Sequence, residues 1–136
     1  LLNALDPSRS APGACNAGFA RADSLLVVVL ITDEDDAPDT SCDPTSGPCN
    51  KGSGGTSSDW YAELVGYRGG VADNVVVLTL ANDGSCAGSI GARVKGFTLK
   101  FKHGVVGDVC TLDYGKFFAD ALPEIGSACA QFQSPK

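Results

Sequence analysis

An acidic run stands directly behind an apolar one in this chain: Leu30-Ile31-Thr32 gives way to Asp33-Glu34-Asp35-Asp36. Asp39 and Asp43 follow, and no basic residue interrupts the series. Carboxylates held this close repel one another unless a cation or solvent screens them. Hard oxygen donors of this kind suit Mg²⁺ or Ca²⁺. Asp33 is therefore the leading candidate metal ligand, with Asp35 and Asp36 as direct or supporting ligands. The position adds weight, because ligands of open α/β sheets bind beyond the carboxyl ends of the strands. The plain alternative is a solvated acidic loop that binds nothing.

Other residue types capable of chemistry are less well placed. Cys15, Cys42, Cys49, Cys86, Cys110 and Cys129 are widely spaced, and His103 is the sole histidine, so zinc ligation is disfavoured. An even number of cysteines in a chain of this size reads as disulfides, formed outside the reducing cytosol. The turn-forming residues Asp43 to Pro48 favour Cys42 with Cys49, while many other pairings stay open. His103, between Lys102 and Gly104, reads as a surface residue rather than a catalytic base. The stretch Gly52-Ser53-Gly54-Gly55-Thr56 lacks the Gly-Lys-Ser/Thr ending of a phosphate loop and reads as flexible linker. Asp6-Pro7-Ser8-Arg9-Ser10 matches Asp-x-Ser-x-Ser literally, but Leu1 to Leu5 before it looks helical rather than strand-like.

The elements that would position the acidic run follow from hydrophobic patterning. Leu25 to Ile31 and Asn74 to Leu80 are uninterrupted apolar, β-branched runs, as expected of parallel strands buried on both faces. Val105 to Val109 is a shorter third strand. Between them, Ser58 or Asp59 can cap a helix with Trp60, Leu64 and Tyr67 on one face, closed by Gly69-Gly70. Ile90, Val94, Phe97 and Phe101 give a second helical period. Asp113 opens a third helix facing inward with Phe117, Ala121 and Ile125, which Pro123 kinks or ends. The segment from Thr32 to Ser57 is a long loop, beyond the usual connection length. Alternating strands and helices predict a doubly wound parallel sheet, Rossmann-like, with helices on both faces.

Composition bounds the function. The chain has 136 residues, 43% apolar and 19% charged, enough for one domain spanning 1–136. A net charge of -6 with scattered basic residues argues against a nucleic-acid partner. The apolar run Leu25 to Ile31 is far short of a transmembrane segment. No methionine is present, so residue 1 is expected to follow a cleavage or to lie within a longer protein.

An apolar strand ending in Thr32-Asp33-Glu34-Asp35-Asp36, preceded by Cys15-Asn16-Ala17-Gly18-Phe19-Ala20-Arg21-Ala22-Asp23-Ser24, resembles von Willebrand factor A-type domains. The resemblance is to the disulfide-containing kind in bacterial surface proteins and lipoproteins, and it covers nearly the whole chain as the carboxyl-terminal half of that fold. It implies that Asp33 contributes to a metal-ion-dependent adhesion site, whose Asp-x-Ser-x-Ser and Thr ligands belong to an amino-terminal half not seen here. The implied activity is non-enzymatic: metal-assisted recognition of a protein or cell-surface ligand outside the cytoplasm. The missing half of the domain is then an expected partner, since half a sheet exposes the flank of a buried strand.

Two other readings stand beside it. Asp33-Glu34-Asp35 after an apolar strand also resembles the Asp-x-Asp of haloacid-dehalogenase-type phosphatases, with Asp33 as nucleophile and Asp35 as acid/base. Ala37 departs from the residue that family expects, and no later Lys and paired-acid motif is evident. The last reading is a disulfide-stabilised structural scaffold without a metal site.

Overall fold

The computed structural model describes residues 1–19, 21, 23–36 and 52–134. The expected Cys42–Cys49 pairing, together with Asp39 and Asp43, lies outside them.

Three strands form an all-parallel sheet in the order β1 (Leu26–Thr32), β2 (Val75–Ala81), β3 (His103–Asp108). The register sets Val28 beside Val77 and Leu30 beside Thr79, then Leu78 beside Val105. Parallel neighbours need long crossovers. Here they are supplied by α3 (Ser57–Tyr67) between β1 and β2 and α4 (Ala92–Thr98) between β2 and β3. Helix α5 (Gly115–Ala130) follows β3, and two short helices, α1 (Leu2–Leu5) and α2 (Pro7–Ser10), precede β1.

Every residue of β2 is buried, as its unbroken apolar run requires. Side chains alternate along a strand, and β2 accordingly feeds two apolar clusters. Val75 and Val77 join Val28, Leu64, Phe97 and Phe101. Val76, Leu78 and Leu80 join Phe117, Ala121 and Ala128 of α5. Each fully buried aliphatic side chain contributes about 1.5–3 kcal/mol, so β2 is the strand on which both clusters depend.

Strand β1 departs from the expectation of burial on both faces. Val28 is 5% exposed, but its neighbours Val27, Val29 and Ile31 are 39%, 48% and 62% exposed. Their register partners Val76, Leu78 and Leu80 lie under α5. Cover on that face therefore ends at β2 and leaves an apolar stripe on β1.

Helix boundaries also differ from the sequence reading. Asp6 closes α1 and at once caps α2, its carboxylate accepting from the Ser8 amide at 2.8 Å, with Pro7 in the first turn. Thr56, not Ser58 or Asp59, caps α3, and Asp59 completes a capping box by accepting from the Thr56 amide at 2.6 Å. Ile90 stands outside α4 and is 56% exposed, while Val94 and Phe97 point into the core. Pro123 neither ends nor breaks α5, which runs on to Ala130. Its position on the exposed face lets water take the carbonyl that its missing N–H leaves free. Among the described residues, no helix is long and apolar enough to cross a membrane.

Candidate functional site

The acidic run lies at the carboxyl end of β1, as expected, but three of its four carboxylates are taken up by the fold. Glu34 accepts from the Ser89 hydroxyl at 2.6 Å and from the Ser89 amide at 3.2 Å. Asp35 accepts from the Arg93 amide at 3.1 and 3.0 Å and from the Val94 amide at 3.3 Å. It thus serves as a long-range cap on α4, whose own N-cap position, Gly91, has no side chain to offer. Asp36 accepts from the Ser53 amide at 2.6 Å. Donated N–H and O–H groups offset part of the crowding of these charges.

Asp33 is different. It is exposed, and among the described residues its carboxylate has no hydrogen-bond partner. Its backbone carbonyl instead sits where a Cβ on Gly88 would fall, 2.6 Å away, and Gly88 has φ 116°. Only glycine lets the loop after β2 close this tightly over the loop after β1. Among the described residues, no group of three or more His, Cys, Asp or Glu side chains is arranged to hold a metal. Asp33 is the one carboxylate of the run that accepts no hydrogen bond among the described residues.

Arg93 organises the wall beside this loop. Its guanidinium lies 4.6 Å from the centre of the Trp60 ring and donates to the carbonyls of Asp36, Ser53 and Gly55. The Trp60 indole N–H donates to the Gly54 carbonyl at 2.6 Å. The expected flexible linker is thus tied down at Ser53, Gly54 and Gly55. Ser89 and Arg93 are not legible in the sequence, because their partners in the acidic run stand 54 to 58 positions away and no local pattern announces such a pairing.

A cavity of about 520 Å³ opens against this wall, lined by Leu30, Trp60, Val94 and Phe97, with Asp36 and Glu63 among its polar residues. A second, of about 510 Å³, follows the end of β1 past Val29, Ile31, Thr32, Glu34, Asp35 and Asp36.

Beyond β2 and β3 a Cys86–Cys110 disulfide ties the loop before α4 to the end of β3. Cys15 and Cys129 are free and exposed. Asn82, fully buried, accepts from the Gly84 amide at 2.8 Å, and Ser85 donates to Asp108 at 2.6 Å. The Ser85 hydroxyl and then the Cys110 amide hold the Asp108 carboxyl below its ordinary pKa.

His103 corrects the surface assignment. It opens β3, is 2% exposed, and its Nδ1 lies 3.1 Å from Glu124 Oε2 on α5. Among the described residues, no hydroxyl or thiol nucleophile is paired with it, and its buried Nε2 has no partner. In Asp6-Pro7-Ser8-Arg9-Ser10, the Asp6 carboxylate is occupied by Ser8, and the motif ends no strand.

No family model, no curated protein and no solved structure matches the chain.

Proposed function

We propose that this chain is a non-enzymatic binding module that acts outside the cytoplasm and completes its sheet on β1. The observation that carries the reading is the bare flank of that strand. Its outer edge has no pairing strand among the described residues, and Val27, Val29 and Ile31 form an exposed apolar stripe beside that edge. No Lys, Glu or Pro stands within Leu26–Thr32 to block pairing, though exposed edges are normally guarded in that way.

Topology supports the same conclusion. Both crossovers step the sheet in one direction, from β1 to β2 to β3, so strand order does not reverse within it. Sites in doubly wound folds lie where strand order reverses. A further parallel strand on β1 would create that reversal beside Asp33, with its helix covering Val27, Val29 and Ile31. The resemblance to von Willebrand factor A-type domains names the segment that would supply it, the amino-terminal half of the same domain. In that arrangement Asp33 would offer its free carboxylate to Mg²⁺ or Ca²⁺, with the remaining ligands coming from the added segment. Glu34, Asp35 and Asp36 would hold the loop in place. The Cys86–Cys110 disulfide suits an oxidising, extracytoplasmic compartment.

The test uses the reporter dye ANS, which brightens on exposed apolar surface. The natural sequence should enhance its fluorescence severalfold more than Val29→Lys does, with unchanged circular dichroism. Equal signals from the two proteins would remove the support for a docking flank. In a parallel calorimetric titration, saturable Mg²⁺ uptake abolished by Asp33→Ala would support the metal role. Uptake that survives that substitution would exclude it.

A further inference from the structure

The cavity beside Trp60 combines an apolar wall with acidic groups. Phe97 is 4% exposed and Val94 8%, and Trp60 and Leu30 complete the wall with them. Phe97 and Trp60 meet edge to face with ring centres 6.2 Å apart, so the aromatic surface is held rigidly. A volume of about 520 Å³ falls within the range of small-molecule sites.

Its charged lining residues, Asp36 and Glu63, are both acidic. The Asp36 carboxylate accepts a single described hydrogen bond, from Ser53, and keeps further lone pairs. Glu63 is exposed on α3, and its carboxylate has no described partner. The guanidinium of Arg93 lies over the Trp60 ring of this wall and donates to the carbonyls of Asp36, Ser53 and Gly55. Two carboxylates against one committed guanidinium leave the side chains here an excess negative charge. Apart from the Ser53 hydroxyl, an anion would find no free donor side chain among these lining residues, and a neutral ligand would leave the carboxylates unused.

We infer that this cavity is a binding site for a small organic amine, with one ammonium group on an apolar body. The ammonium group would meet Glu63 and Asp36, while the body would lie against Phe97, Val94 and Leu30. Charge-assisted hydrogen bonds would supply selectivity over neutral analogues. The site stands apart from the metal reading, since it uses neither Asp33 nor the open flank of β1.

The chain has a single tryptophan, so Trp60 fluorescence reports directly from the cavity wall. The probes are 4-phenylbutylamine and its neutral counterpart 4-phenylbutanol. The amine should give a saturable fluorescence change with an affinity about tenfold tighter than the alcohol. Glu63→Gln should weaken the amine about fivefold, leave the alcohol unchanged and preserve the thermal melt. Raised salt should weaken only the amine. An amine that gives no saturable change, binds no tighter than the alcohol, or keeps full affinity in Glu63→Gln would overturn the inference. Asp33→Ala should bind the amine as the natural sequence does, so this test and the metal titration can fail separately.

Discussion

Replacing Asp35 with alanine strips the first turn of α4 of the carboxylate to which the Arg93 and Val94 amides donate. Gly91 cannot substitute, having no side chain, so those N–H groups would turn to water or go unpaired. Losing a helix cap costs about 1 kcal/mol, and losing the favourable charge at a helix start adds about 0.3–1 kcal/mol. The expected loss is therefore about 1–2 kcal/mol. For a domain of this length that lowers the melting temperature by roughly 3–8 °C. Asp35→Asn should fall between, because it keeps an acceptor but not the charge. Asp33→Ala should leave the melt within about 1 °C, as its carboxylate supports no described contact. Thermal denaturation followed by circular dichroism in metal-free buffer separates the three. Equal losses for Asp33→Ala and Asp35→Ala, or no loss for Asp35→Ala, would refute the division of the run into carboxylates that the fold uses and one that it does not.

Reducing the Cys86–Cys110 bond frees a loop with a sequence separation of 24, which costs about 3 kcal/mol by chain entropy. A melt with and without reductant should show a drop of roughly 10 °C, and peptide mapping should recover Cys86 linked to Cys110. Asp108 carries its own acid sensitivity. Because its folded pKa is lowered, the contribution of its hydrogen bonds to stability is complete above the ordinary carboxyl value of 3.8 and is lost as pH falls through the lowered one. A carboxyl NMR titration should place Asp108 below 3.8, and Ser85→Ala should move it back upward, since the Ser85 hydroxyl is the largest cause.

Much of the fold is legible along the chain because the strongest signals are local. The run Val75 to Leu80 is apolar at every position, and each of those positions is buried. Trp60, Leu64 and Tyr67 share a helix face, and that face packs on the first apolar cluster. Strand β1 shows the limit of such reasoning. Its composition matches β2, yet three of its residues meet solvent, because cover depends on a neighbour that a strand's own sequence does not specify. The acidic loop shows a second limit. Its position after β1 follows from the boundary at Thr32, whereas the donors that neutralise Glu34 and Asp35 come from Ser89 and Arg93 across the β2–α4 loop. The neighbours Lys102 and Gly104 suggest an exposed place for His103. Lys102 stands exposed in the turn before β3, whereas His103 opens the strand and is buried against Glu124.

The account rests on the flank of β1 being a surface that another strand completes, and sedimentation velocity on the natural sequence and on Val29→Lys tests this most directly. The natural chain should associate as its concentration rises, through the edge and stripe of β1, and Val29→Lys should remain a monomer of unchanged fold over the same range. Two monomers that sediment identically at every concentration would contradict the claim.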